Sequence, residues 1–345
     1  MDNTPDQDVV DMHKKNIAVI GGGYISRYHI RALEKIPEVN IALSGTNHEK
    51  LSALMAEFNI SEILTFEEIL KRPDIDAVII ATPNKFHAPF ANAALKMGKD
   101  VFLEKPMAMN TDECKIIQEN AESNNRIVMV GHMWRFDEEV DQIKHLINSG
   151  AIGSIFKTKG YGIHQNWGPS GWFVSHQLAG GGALIDMGVH AIDTCRYLLG
   201  DPRPVSVYAR IDTRFGKYDV DDNGILIINW SDDSTSIIES GWWHSYADGP
   251  EAATRIYGTK GYASLFPTEA KIQEGEELKS LKFTPINKSE HCDQKIYDHQ
   301  MKYFVECMKT RSQPSPGIEE GMTVMKIVDA AYRSSLKNEV ILIES

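Results

Sequence analysis

Cysteine is scarce in this chain. Only four are present among 345 residues, Cys114, Cys195, Cys292 and Cys307, and they have neither the spacing of metal ligands nor the density of a disulfide scaffold. We therefore expect reduced thiols in a cytoplasmic protein, packed as small apolar side chains.

Long apolar runs are also missing. No segment approaches the roughly 20 residues that a membrane-spanning helix needs. The first residues, MDNTPDQDVVDMHKK, are acidic and polar and lack the apolar stretch of a signal peptide. We expect residues 1–15 to form a flexible tail, and no membrane is expected as a partner.

Positive charge is in deficit as well. Lysine and arginine total 36 against 48 aspartate and glutamate residues, which gives a formal net charge of -12. A surface of this sign repels phosphate backbones and anionic lipids, so nucleic acids and membrane surfaces are poor partners for the protein as a whole. A local basic pocket for a small phosphorylated ligand remains compatible with it.

The chain does have core material for two domains. Its length exceeds the size at which a single core usually stops growing, and 42% of its residues are hydrophobic. Within 16–135, short and continuously apolar segments alternate with helical ones, which predicts a doubly wound parallel sheet of the Rossmann type. The predicted strands are 16–20, 40–43, 77–81, 100–103 and 127–130, and the predicted helices are 25–35, 49–58, 88–97 and 112–124.

Residues 136–345 show a different pattern of predicted helices and strands. Predicted helices over 137–148, 182–199, 296–309 and 317–336 accompany predicted strands over 205–211, 224–230, 235–242 and 254–257. The strands lie close together, and Asp232-Asp233-Ser234 supplies a turn between two of them. The second half is therefore predicted to be an α+β domain with an open, mainly antiparallel sheet.

A glycine-rich turn follows the first predicted strand. The sequence Gly21-Gly22-Gly23-Tyr24-Ile25-Ser26 matches G-x-G-x-x-G/A, with Ser26 in the last small position. Glycines at positions 21 and 23 allow a tight turn and a close backbone approach to a pyrophosphate at the N-terminus of the next helix. Because the motif joins a strand to a helix inside a βαβ unit, it predicts a dinucleotide site.

The end of the second strand is unusual for an NAD site. An Asp or Glu usually meets the ribose 2′-hydroxyl there, but the chain reads Leu43-Ser44-Gly45-Thr46-Asn47-His48, with no carboxylate before Glu49. Thr46 and Asn47, with Lys50 nearby, could accept a 2′-phosphate, although no arginine is present. We expect NADP or NAD as the cofactor and favour NADP.

Two further polar segments follow predicted strands, Thr-Pro-Asn at 82–84 with His87, and Glu-Lys-Pro at 104–106. Both lie at carboxyl ends of strands, where open α/β sheets bind ligands. In the second half, Asp186 and His190 are four residues apart, which places them on one face of a helix. No third metal ligand is evident from the spacing, so no metal is expected and acid–base chemistry is the better functional interpretation.

Together these segments resemble the Gfo/Idh/MocA oxidoreductases, the family of glucose-fructose oxidoreductase and myo-inositol dehydrogenase. The motifs occur in the family's order: the glycine turn with His29 after it, 82–84 with His87, 104–106, and the glycine-rich approach to Asp186 and His190. The resemblance implies a Rossmann domain over 16–135. It also implies a substrate-binding and oligomerisation domain over 136–345, hydride transfer at a sugar or polyol carbon, and a homo-oligomer, dimer or tetramer.

The resemblance also implies site residues. Its catalytic residues correspond to Lys105, Asp186 and His190. The predicted cofactor residues are Gly21, Gly23, Tyr24, Ile25, Thr46, Asn47, Thr82, Pro83, Asn84, His87, Glu104, Lys105 and Arg135. Tyr297 matches a position that faces the substrate. The chain departs from the family at Gly45, where many members have an acid, and at Ser26.

A mechanism follows for these groups. Neutral His190 is expected to take the hydroxyl proton, Lys105 to stabilise the developing alkoxide, and Asp186 to orient the substrate or the other two groups. His164, Trp167 and Trp172 lie in a segment that mixes flat rings and hydrogen-bonding groups, so they are predicted to be walls of a sugar pocket. For Trp242 and Trp243, sheet packing or an oligomer interface is favoured over substrate contact.

Two other functions are consistent with the same residues. One is glycoside hydrolysis through transient oxidation by a tightly held cofactor, without net redox. The other is a non-catalytic cofactor sensor, which we rank last because Lys105, Asp186 and His190 are all present.

Overall fold

The computed structural model of the protein describes residues 14–245, 251–286 and 292–344. The predicted flexible tail therefore lies almost wholly outside the described residues. Within them, no helix is long and apolar enough to cross a membrane.

The first half forms a five-stranded, wholly parallel sheet. Its strands are β1 (Lys15–Ile20), β2 (Val39–Ser44), β3 (Ala77–Ile80), β4 (Asp100–Leu103) and β5 (Val128–Val130). The helices that join or follow them are α1 (Tyr24–Leu33), α2 (His48–Phe58), α3 (Phe66–Lys71), α4 (His87–Lys96) and α5 (Thr111–Ser123). The spatial order β2-β1-β3-β4-β5 reverses direction at β1. The glycine turn after β1 thus lies at the switch point where such sheets bind ligands.

The second half forms a nine-stranded mixed sheet. Its strands are β6 (Ile155–Ile163), β7 (Pro204–Asp212), β8 (Asn223–Trp230), β9 (Thr235–Gly241), β10 (Thr254–Gly258), β11 (Gly261–Leu265), β12 (Glu269–Glu274), β13 (Glu277–Leu281) and β14 (Ile341–Leu342). Only β6 and β9 pair in parallel among the strands of this sheet in the described ranges. The helices are α6 (Glu138–Asn148), α7 (His176–Ala179), α8 (Val189–Leu199), α9 (Gln294–Thr310) and α10 (Ile318–Lys337). The predicted fold class is confirmed for both halves.

One face of the nine-stranded sheet is covered and the other is open. Along β8, Leu226, Ile228 and Trp230 are buried in a core that includes residues of α8 and α10. The alternate residues Ile225 and Ile227 are exposed. This period-two alternation is what one-sided burial of a sheet produces.

The sequence prediction missed strand β6, which lies in the middle of the second sheet. Its sequence, IFKTKGYGI, contains two lysines and two glycines, residue types that are depleted in strands. The strand forms nevertheless because β9 and β10 supply hydrogen-bonding partners on both sides. Tertiary pairing here overrides local propensity.

The predicted helix over 182–199 is not uniform. It begins with a π-helical turn over Leu184–Gly188 and becomes an α-helix only at Val189. Asp186 therefore lies in the π turn and His190 in the α-helix that follows it. A π turn inserts extra backbone into a helix and is frequent at functional sites.

Candidate active site

The glycine turn has the geometry of a phosphate cradle. Gly21 has a φ of +124°, and a Cβ there would lie 2.2 Å from the carbonyl oxygen of Ala81. Gly23 is the N-cap of α1, and a Cβ there would meet nothing within 4 Å. No side chain caps the start of α1 in the described structure, so its first N–H groups are open to an anion.

The loop after β4 and the π turn bring Lys105 and Asp186 together. Lys105 Nζ donates to the main-chain oxygen of Asp186 at 2.7 Å and lies 3.3 Å from its Oδ1. The two side chains are 18% and 11% exposed, so the pair is largely shielded but still reachable.

The other carboxylate oxygen of Asp186 is also engaged. It accepts a hydrogen bond from Trp242 Nε1 at 3.1 Å and lies 3.5 Å from His164 Nε2. Burial alone would raise the pKa of this carboxyl, but Lys105 and His164 outweigh burial and hold the pKa well below its usual range. Asp186 is therefore a carboxylate that positions its neighbours.

His190 lies in the first turn of α8, close to this centre. Its ring is 93% buried and packs against Trp134, with 4.9 Å between ring centroids. His190 also interacts electrostatically with the Asp186 carboxylate. The structure thus gathers Lys105, Asp186 and His190 at one place, from the loop after β4 and from the π turn with the start of α8.

Comparison with known families places both halves of the chain. Residues 15–132 match the family model described as "Oxidoreductase family, NAD-binding Rossmann fold", and residues 140–264 match the GFO/IDH/MocA C-terminal domain. The chain belongs to the Gfo/Idh/MocA oxidoreductase family. Its first half is the family's NAD-binding Rossmann domain, and its second half contains the family's C-terminal domain.

Relatives of this family align over most of the chain. The scyllo-inositol 2-dehydrogenase (NAD(+)) of Bacillus subtilis (strain 168) is 29% identical over 310 residues, 88% of each protein. The crystal structure of aldose-aldose oxidoreductase from Caulobacter crescentus, complexed with glycerol, is 26% identical, with a TM-score of 0.82 over 95% of this chain and 99% of that one. Levoglucosan dehydrogenase in complex with NADH and levoglucosan, 24% identical, has the same fold, with a TM-score of 0.87 over 96% and 100% of the two chains.

Two predicted cofactor residues, Asn84 and His87, support loops through their side chains. The ring nitrogens of His87 lie 2.8 Å from the Pro106 oxygen and 3.0 Å from the Thr82 oxygen, which ties the two loops together. Asn84 donates to the main-chain oxygen of Ala179 at 2.8 Å and so joins the first half of the chain to the second. Both side chains are buried. Their bonds hold the loop that carries Thr82 and Pro83.

Glu104 has a similar bracing role. It lies 2.7 Å from Nε2 of the fully buried His29 in α1. Burial is the largest single influence and raises the pKa of Glu104, but the hydrogen bond and charge interaction with His29, together with the charge of Lys105, outweigh it and lower the pKa overall. The pair fixes the helix of the glycine turn to the loop that carries Lys105.

Two predictions need correction. All three guanidinium nitrogens of Arg135 bond to Asp193 or Asp201, and the group lies over Tyr197, so Arg135 is held in a buried ion-pair network. Tyr297 is 98% buried, and its hydroxyl contacts Met133 Sδ at 3.0 Å. Tyr297 therefore packs behind α1 instead of facing a substrate.

The remaining predicted cofactor residues surround the glycine turn. Tyr24 is exposed at the start of α1 and its hydroxyl bonds to Tyr28, while Ile25 is half-buried against the core. Thr46 is exposed, and Asn47 caps α2 by accepting a hydrogen bond from the Lys50 amide at 3.0 Å. The 2′ end of the predicted site is thus a polar helix N-terminus with no carboxylate before Glu49.

The predicted pocket walls divide into two groups. His164 contacts Asp186 directly, and Trp167 stacks on His164 with 3.6 Å between ring centroids. Trp172 stacks instead on Phe173, at 3.8 Å, in a separate turn. Sequence reasoning missed Trp242 as a site residue. Its position at the end of β9, beside other aromatic residues, carried no signal of a hydrogen bond to Asp186.

Proposed function

We propose that this protein transfers hydride between a nicotinamide dinucleotide and a hydroxyl-bearing or keto carbon of a sugar, a polyol or a sugar derivative. The observation that carries the proposal is the contact between Lys105 and Asp186 beside His190. An ammonium, a fixed carboxylate and an imidazole meet there near the carboxyl end of the parallel sheet. The names of relatives, an inositol dehydrogenase among them, support a polyhydroxylated substrate.

Lys105, His190 and Asp186 have different roles at the substrate oxygen. A bound nicotinamide supplies the hydride acceptor or donor. Lys105, held by Asp186, binds the reacting oxygen and stabilises the negative charge that develops on it. His190 takes the hydroxyl proton during oxidation and returns it during reduction. Asp186 stays ionised and orients Lys105 and His164.

The finer cofactor preference we propose is for NADP. Its support is local: β2 ends at Ser44 without an acidic residue, and exposed Thr46, Asn47 and Lys50 follow. Fluorescence titration of the protein with NADPH and NADH measures the preference directly. NADH binding about tenfold tighter, or 1.4 kcal/mol, would contradict it.

A substrate panel tests the proposed activity. Polyols, aldoses, anhydrosugars and nucleotide sugars are each incubated with NAD and with NADP, and nicotinamide absorbance is followed. Reduction of the cofactor by at least one sugar or polyol is expected. Cofactor binding with no hydride transfer from any of them, in either direction, would contradict the proposal.

The proposed enzyme is an oligomer of two-domain chains. We infer a homo-oligomer, dimer or tetramer, formed through the open face of the nine-stranded sheet, because Ile225 and Ile227 are exposed there. We also infer a cofactor domain over 16–135, a substrate domain over 136–345, and a cytoplasmic location. The buried thiols of Cys114, Cys195 and Cys307 support that location.

A further inference from the structure

We propose that the active site continues outward from Asp186 into a second sugar subsite formed by Trp167 and Trp243. The substrate is then a glycoside or disaccharide with a second ring, in preference to a free polyol. This inference rests on the proposed sugar oxidoreductase function and specifies its substrate class.

The imidazole of His164 lies between Trp167 and the carboxylate of Asp186. His164 Nε2 lies 3.5 Å from Asp186 Oδ2, and the Trp167 ring stacks on the His164 ring with 3.6 Å between centroids and 28° between planes. One face of the indole is covered by this imidazole, yet the residue is 45% exposed. Part of this apolar side chain is thus exposed to solvent, and one imidazole ring separates the indole from Asp186.

The orientation of this indole is fixed. Trp167 Nε1 donates to Glu251 Oε1 at 2.6 Å, and the same oxygen accepts the Gln165 amide at 2.9 Å. An exposed tryptophan that is stacked on one face and bonded through its N–H loses little freedom when a ligand arrives. Such preorganisation lowers the entropic cost of binding.

Trp243 is a second exposed indole, held by the adjoining segment. Its amide donates to the Trp167 main-chain oxygen at 2.8 Å. A Cβ at position 168 would lie 2.4 Å from Trp243 Nε1, so a larger residue there would displace the indole. Trp243 is 40% exposed and has a φ of +65°, a strained conformation for a residue with a bulky side chain.

The chemistry of this surface fits a second sugar ring. The C–H faces of a pyranose are apolar and stack on indole rings, while its hydroxyls need polar partners at the ring edge. Glu251 lies at the edge of Trp167 and is 26% exposed, so a carboxylate is available to accept hydroxyl hydrogen bonds. The first ring occupies the centre formed by Lys105, Asp186 and His190, and the second ring lies on the tryptophans.

Matched substrates test this inference. The best monosaccharide in the panel and its methyl and phenyl glycosides are compared by kcat/KM in the wild type and in W167A, W243A, W167F and F156A. Phe156 is 50% exposed at the far end of β6, so F156A is the control for loss of an exposed ring. The wild type is expected to prefer the phenyl glycoside about tenfold, the magnitude of one aromatic contact.

In the expected result, W167A and W243A lose this preference, W243A keeps the kcat/KM of the monosaccharide, W167F retains part of the preference, and F156A retains all of it. Equal losses on every substrate, or a wild type without the preference, would overturn the inference. So would a change in molecular mass of W167A or W243A with the preference intact, since the tryptophans would then form a subunit contact. Absence of hydride transfer from any sugar contradicts the proposed function instead, and calorimetric titration with the phenyl glycoside then tests the subsite separately.

Discussion

Lys105 carries its charge at a place where a buried carboxylate can hold it in position. Both the side-chain and main-chain oxygens of Asp186 lie within hydrogen-bonding distance of Nζ, and Trp242 fixes the carboxylate from the other side. An ammonium preoriented in this way needs little rearrangement when charge develops on a substrate oxygen. Electrostatic stabilisation of this kind is commonly the largest single contribution to catalysis.

Replacement of Lys105 tests this contribution. K105M keeps the length of the side chain and removes the ammonium, so kcat is expected to fall roughly 10²–10³-fold. Cofactor affinity, measured by fluorescence titration, is expected to persist because the glycine turn is untouched. K96M, on the exposed surface of α4, is the matched control and retains wild-type turnover. Near wild-type kcat in K105M would contradict the role given to Lys105.

His132 provides a residue-scale prediction about stability. Its ring is 98% buried, neither ring nitrogen has a hydrogen-bond partner among the described residues, and Nδ1 lies 3.9 Å from Asp193 Oδ2. Burial lowers the pKa of His132 below 6.5. Asp193 and Glu320 act in the opposite direction, while Arg135 and Lys105 add to the lowering. The folded protein therefore favours the neutral ring.

The sign of the pH effect follows from this lowered pKa. The stability linked to a neutral His132 is fully present above the unfolded pKa of about 6.5, and it is lost as pH falls from there towards the folded pKa. Urea unfolding at about pH 7.5 and about pH 5 measures the loss, and H132F, which cannot bind a proton, should lose less. Some loss remains because burial also lowers the pKa of His87. H48F, at an exposed site, should match the wild type, and an equal loss in H132F would contradict the prediction.

At the scale of elements, the π turn over Leu184–Gly188 is held by a single buried carboxylate. Asp221 accepts the amides of Gly182 and Leu184 at 2.8 and 2.9 Å and the hydroxyl of Tyr332 at 2.6 Å. These bonds join the loop before β8 and helix α10 to the start of the turn. Asp221 touches none of the proposed reacting groups, so its effect on them is one of position.

Replacement of Asp221 tests this support. D221N keeps the size of the side chain but cannot accept all three donors, because its NH₂ group is itself a donor. The free energy of unfolding is expected to fall by roughly 1–3 kcal/mol. kcat is expected to fall as well, with cofactor affinity retained. D233N, at an exposed turn, is the control for the chemical change. Unchanged kcat in a destabilised D221N would leave Asp221 a purely structural residue.

At the scale of the whole molecule, the open face of the nine-stranded sheet governs the expected assembly. Ile225 and Ile227 are 49% and 41% exposed in β8, which pairs with strands on both sides. The helices α8 and α10 contribute to the core on the opposite face. An exposed apolar surface on a strand that is paired on both sides is suited to contact with a second copy of the chain.

A charge on this face tests the assembly. I227E is expected to lower the molecular mass measured by light scattering towards that of a single chain, because a carboxylate buried at the interface would lack a partner. L336E changes an apolar residue that is more exposed, 87% accessible on α10, and is expected to keep the wild-type mass. A wild-type protein that runs as a single chain would contradict the prediction.

The sequence by itself determined the parallel sheet, the glycine turn and the identity of Lys105, Asp186 and His190 as candidates. Continuous apolar strands, strand-to-helix turns and ordered motifs are local signals, because each depends only on residues that are close in sequence. Only the tertiary structure decided that β6 pairs between β9 and β10, that Arg135 and Tyr297 are internal, and that Trp242 bonds to Asp186. Those features depend on which segments meet in space. Burial and hydrogen bonding between residues far apart in sequence decide this, and no local sequence pattern predicts it.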